Sequence, residues 1–155
     1  MAYTIEQQYS RDIDWYFKDG NNNLIHVASA GGRLPKIIEE NDNLIDSLHS
    51  QILELPNQFE VTINPILGQL VLFETDEARE LYLTDFTEMA KRGLISVDKS
   101  KLGSFEDTFY HIVAFPKNTT PIDKFSNITD NFVSSKKPIE ISDSKSFNLF
   151  DYFDE

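Results

Sequence analysis

The segment 11–19, RDIDWYFKD, constrains this chain more than any other stretch. Ile13, Trp15 and Phe17 alternate with Asp12, Asp14, Tyr16 and Lys18, and a period of two marks a strand with one face in a core and the other in water. GNN follows, with residues that tolerate positive φ, and NLIHVAS then offers a second alternation. The two apolar sets meet only in the register that puts Trp15 opposite Val27 and Phe17 opposite Ile25, because a slip of one residue would turn every side chain to the wrong face. Tyr16 then faces His26, with Asp14 one pair further along the same side. That side is expected to point outward.

The next segment, SAGGRLP, leads from this strand toward helical spacing in KIIEENDNLIDSLHSQIL. A glycine pair between strand and helix invites comparison with phosphate-binding loops. A P-loop needs a lysine and a hydroxyl after its last glycine, and the dinucleotide fingerprint needs glycines at positions one, three and six. Gly31 and Gly32 are adjacent and are followed by Arg33, Leu34 and Pro35, so both templates fail. What remains is a tight corner that glycine can turn, or a simple anion site at Arg33 beside a helix start.

Pro35 suits a first helical turn, and Leu44, Ile45, Leu48 and Ile52 recur at helical spacing. Residues 41–43 interrupt this helix, with Asp42 expected to cap the longer piece, and Pro56 ends it. QFEVTI and GQLVLF read as short strands. The best-marked helix is TDEARELYLTDFTEMAKRG: Thr75 caps it, Asp76, Glu77 and Glu80 favour its positive end, Lys91 and Arg92 its carbonyl end, and Gly93 closes it. Its expected apolar stripe is Ala78, Tyr82, Phe86 and Met89. LISVD and DTFYHIVAF follow as strands, the second apolar on both sides as a central strand is. The stretch 116–138 is polar, with one helical turn expected near residues 122–125, and PIEISDSKSFNLF suggests a closing hairpin. Strands and helices do not alternate strictly. The expectation is an α+β fold: a single domain over residues 1–150, with a largely antiparallel sheet and two main helices packed on one face. Residues 151–155, DYFDE, form an acidic aromatic tail, either frayed or offered to a basic partner.

A chain of 155 residues without cysteine can bury a core unaided, and it excludes disulfide scaffolds, thiolate metal sites and cysteine nucleophiles. The segment 1–14 carries neither a basic patch nor an apolar run, and no stretch approaches the length of a membrane span. The expected setting is the cytoplasm. With 26 acidic against 14 basic residues and a formal net charge of -12, nucleic acid and anionic membranes are repelled and a basic protein is attracted. Plain solubility accounts for the same charge.

No chemistry declares itself. GxSxG and SxxK are absent. Of the three histidines, His49 falls outside the apolar stripe and reads as surface, and His111, on a face with Phe109, Val113 and Phe115, reads as a satisfied core residue. His26 is the informative one. With Asp14 and Tyr16 it could do acid–base work, form a protein-binding patch, or stand as ordinary cross-strand neighbours. No cofactor and no metal site is implied.

RDIDWYF, HVASAGGRLP and EMAKRGLISVDKS together resemble small acidic bacterial proteins encoded beside polymorphic toxins and regarded as their immunity proteins, over roughly residues 11–99. The resemblance implies a cytoplasmic, non-enzymatic antidote that binds one cognate toxin domain and blocks its active site or its access to substrate. A basic, nuclease-like toxin would suit the charge. The residues expected to meet it are Asp12, Asp14, Tyr16 and His26 on the hairpin, and Glu39, Glu40 and Asp42 beside the corner. The alternative is a small-ligand protein or enzyme using Arg33 with Asp14, Tyr16 and His26.

Overall fold

The computed structural model describes residues 2–118, 132–140 and 145–153. The fold is α+β: a mixed six-stranded sheet with five α-helices and a closing 3-10 turn.

A short helix that the sequence reading did not include, α1 (Ile5–Ser10), opens the chain. Its signal is a capping box: Thr4 accepts from the Gln7 amide, and the Gln7 side chain accepts from the Thr4 amide. The hairpin follows as β1 (Asp14–Lys18) and β2 (Leu24–Ala28), with Trp15 opposite Val27, Tyr16 opposite His26 and Phe17 opposite Ile25, in the expected register. Its turn is held by Asp19, whose Oδ1 accepts from the amides of Asn21 and Asn23, while Asn22 takes a φ of 61°. The corner after β2 also turns as expected. Ala30 and Gly31 have φ of 46° and 76°, and a Cβ on Gly31 would stand 3.0 Å from the Tyr9 carbonyl oxygen.

Two helical pieces follow, α2 (Lys36–Glu39) and α3 (Asp42–Leu53). The interruption falls where expected, but Asp42 is the first helical residue and Asn41 occupies the cap position. Strand β3 (Val61–Ile63) is short. GQLVLF is not a strand: Leu67–Leu70 form α4, because the Asn64 side chain accepts from the Ile66 amide and bends the chain into a turn. Helix α5 (Asp76–Lys91) is capped by Thr75, which accepts from Ala78, and closes at Gly93 with a φ of 104°. Its buried stripe is Leu83, Phe86, Met89 and Ala90, whereas Ala78 is exposed and Tyr82 half-buried. Strands β4 (Ile95–Lys99), β5 (Phe109–Pro116) and β6 (Phe147–Asn148) complete the sheet.

The strand order is β1-β2-β4-β5-β3, with β6 also on β5. Every pair is antiparallel except β2 with β4, which the long path through α2 to α5 makes parallel. Pairing of Phe147–Asn148 with β5, not with residues 138–140, replaces the closing hairpin at its described end. The helical turn near residues 122–125 lies outside the described residues.

Both faces of the sheet are covered. Helices α3 and α5 pack on the face carrying Tyr16 and His26: Tyr16 bonds to His49 of α3, and the His26 ring lies against Phe86 of α5. The opposite face, with Trp15 and Phe17, is closed by the C-terminal segment. Phe153 packs tilted against Trp15 and edge-on against Phe17, and Tyr152 and Phe153 are buried. The tail as far as Phe153 is therefore core, not a frayed end, because two large aromatics gain more by filling a sheet face than they lose in ordering.

Candidate functional site

The expected outward face of the hairpin is buried. Tyr16 is 0% and His26 1% exposed, since α3 and α5 lie across them, and neither can touch a partner directly. Their polar atoms are satisfied inside the fold. His26 Nε2 lies 2.7 Å from Asp14 Oδ1, and Nδ1 lies 2.5 Å from Ser96 Oγ. A carboxylate only accepts, so Nε2 donates to Asp14, and in that tautomer Nδ1 accepts a hydrogen bond from the Ser96 hydroxyl. Serine, histidine and aspartate in a row suggest a hydrolytic triad, but the imidazole is reversed relative to one, and Ser96 is fully buried where no substrate reaches it. Tyr16 Oη lies 2.6 Å from His49 Nδ1; burial, and then the Asp14 charge, hold its proton well above the ordinary tyrosine range.

His49, expected at the surface, is half-buried and bonded to Tyr16. It stands one turn beyond Ile45 on the edge of the buried stripe of α3, a spacing that could have placed it. His49, His26 and Asp14 border a groove of about 340 Å³ between α3 and α5, closed by Asp85, Glu88 and Arg92. Asp14 is the member of the hairpin trio that reaches solvent, at 37%.

Arg33 does not join this cluster. Its Nε lies 3.3 Å from Glu106, an ion pair without hydrogen-bond alignment, and its guanidinium covers the Phe150 ring at 4.4 Å. That position is on the C-terminal-segment side of the sheet, so the arrangement required by the small-ligand alternative is not formed. Asp12 is exposed, and its Oδ1 accepts from the Ala30 amide to brace the corner. Glu39, Glu40 and Asp42 gather at the α2–α3 junction. Asp42 lies two turns from His49, about 10 Å along the axis of α3.

A second buried network, absent from the sequence reading, lies beneath the start of α5. Tyr82 Oη is 2.7 Å from Asp98 Oδ2 and 3.1 Å from His111 Nε2, and His111 Nδ1 is 2.9 Å from Ser100 Oγ. Burial raises the Asp98 carboxyl to about 6 and lowers His111 to about 4. Asp98 and His111 are paired across β4 and β5, which is where the expected core histidine finds its partners.

The most exposed large apolar side chains lie around α5. Leu72 is 92% and Leu81 80% exposed. Glu77 and Asp85 stand one turn before and after Leu81, with Glu80 beside it in sequence, while Glu74 and Asp76 line a pocket with Leu72 and Arg79.

Among the described residues no group of three histidine or acidic side chains could hold a metal ion, and no helix is long and apolar enough to cross a membrane. Compared with protein families, with curated proteins and with solved structures, the chain gives no match.

Proposed function

We propose that this protein acts by binding and not by chemistry, and that it neutralises a basic, nuclease-like protein domain in the manner its resemblance to bacterial immunity proteins implies. The observation that carries the reading is Leu81, 80% exposed on the outward face of α5 and set among Glu77, Glu80 and Asp85. An apolar anchor in a ring of like charge suits a cationic surface: the leucine supplies desolvated contact, and the carboxylates supply steering and selectivity. The groove with Asp14, Asp85 and Glu88 continues this acidic zone toward α3. Tyr16 and His26 then act as buried supports that hold the floor of that groove, while Asp12, Glu39, Glu40 and Asp42 contribute to the general negative field.

The test is co-purification and stopped-flow association with a basic domain encoded by the adjacent gene. Leu81→Arg is expected to weaken the complex at least a hundredfold, mainly through faster dissociation. A complex that forms as tightly with that variant, or a partner that keeps its full activity when saturated, would overturn the proposal.

A further inference from the structure

The network beneath the start of α5 opens into a cleft of about 350 Å³ with an asymmetric lining. Leu70, Leu72 and Leu102 form its walls and mouth, and Tyr82, Asp98 and Ser100 stand at its inner end. The hydrogen bonds at that end run one way. Asp98 ionised can only accept, so Tyr82 spends its one proton on Oδ2 at 2.7 Å. The Tyr82 oxygen must then accept from His111 Nε2, at 3.1 Å, and the ring, with its proton there, accepts at Nδ1 from Ser100. Every donor in the chain Ser100, His111, Tyr82 is thus consumed in the direction of Asp98. What these side chains leave facing the cleft is accepting capacity: the lone pairs of Asp98 not taken by Tyr82 or the Lys99 amide, and those of Ser100 and Tyr82, with the Lys101 ammonium as the charged donor in the lining.

From this we propose that the cleft is a socket for an aliphatic ammonium, its carbon stem between Leu72 and Leu102 and its head on Asp98. A buried carboxylate with spare lone pairs is costly, and a charged donor offsets that cost where a neutral alcohol does so less and an anion not at all. The other charges nearby permit it. Lys101 stands at the rim with an exposed side chain, while Lys99 turns its ammonium to the Asp107 carbonyl on the other face of the sheet. Asp12 adds negative potential at Asp98, and His111 is neutral above pH 5 or so, its burial having lowered it to about 4.

The socket does not depend on the neutralisation proposal, because it is read on the isolated protein. The probes are n-butylamine, 1-butanol and butyrate at pH 8 and constant ionic strength, followed by amide chemical shifts and by calorimetry. n-Butylamine is expected to bind at least tenfold more tightly than either analogue, with shifts centred on residues 70–72 and 98–102, and Asp98→Asn to remove that preference. Leu102→Arg, on an exposed turn, places a cation at the mouth without touching the core and is expected to weaken n-butylamine tenfold. A blocked lysine tripeptide compared with n-butylamine separates the sources: tighter peptide points to a side chain of a protein, tighter amine to a free metabolite. Equal binding of the alcohol and the amine, shifts elsewhere, or no effect of either variant would overturn the proposal.

Discussion

Asp98 and His111 illustrate how a single buried network hides its own ionisation. Burial raises the Asp98 carboxyl to about 6, above the value for a free aspartate, so its contribution to stability is full at low pH and is lost as pH rises toward 6. Burial lowers His111 to about 4, so its contribution is present above the free-histidine value and is lost as pH falls toward 4. Near pH 5 the folded pair holds one proton, on Asp98, and the unfolded pair also holds one, on His111. The two slopes therefore oppose each other across the same window. Asp98→Asn removes one of them, and its stability relative to wild type is expected to rise by about 2–3 kcal/mol between pH 4 and 6.5. His111→Gln is expected to show the opposite trend of similar size. Urea unfolding of the three proteins at intervals of half a pH unit checks this, and parallel curves for all three would count against it. Gly31 makes a separate residue-scale prediction. At a φ of 76° with a carbonyl oxygen 3.0 Å from any Cβ, Gly31→Ala is expected to cost 1–3 kcal/mol, order of magnitude, in the same measurement.

At the scale of elements, the C-terminal segment is the lid of one sheet face. Phe153 lies 5.9 Å from Trp15 and 5.1 Å from Phe17 between ring centroids, and residues 133–135 hydrogen-bond the free edge of β1 through Lys18. Phe153→Ala is expected to cost about 3–5 kcal/mol, as read by thermal or denaturant unfolding, whereas a frayed tail would tolerate it with no change. The α5 helix was legible because every device of a helix is present in its sequence: cap, acidic first turn, basic last turn and closing glycine. Strand β2 was legible through its register with β1, but its parallel partner β4 was not, because the paired residues His26 and Ser96 stand 70 positions apart in the chain, and no local pattern reports which distant strand arrives alongside. GQLVLF went wrong for the same reason in miniature. Its apolar residues fit either period, and the side-chain bond from Asn64 decided for helix.

At the scale of the whole molecule, the net charge of -12 sets a long-range field that neither the fold nor the buried networks require. If it steers a basic partner, the association rate should fall steeply between about 20 and 300 mM salt, over which the Debye length shrinks from about 20 Å to about 6 Å. Glu77→Lys with Glu80→Lys should slow association roughly tenfold at low salt and lower the melting temperature by no more than a few degrees, since both side chains are exposed and lose only their favourable interaction with the start of α5. A salt-independent rate would show that the charge serves solubility alone.

The chain's local order determined the hairpin, its register and its corner. Residues joined by a short turn have few ways to pair, and a one-residue slip would cost every apolar contact at once. The placement of Tyr16 and His26 in the interior was decided only by tertiary structure. Alternation reports that two faces differ, and a face bearing tyrosine, histidine and aspartate looks wet until distant helices cover it and supply the donors and acceptors it needs. His49, 33 residues from Tyr16, and Phe86, further still, convert that face into a satisfied core, and a large apolar side chain left exposed, Leu81, stands on α5 and not on the hairpin.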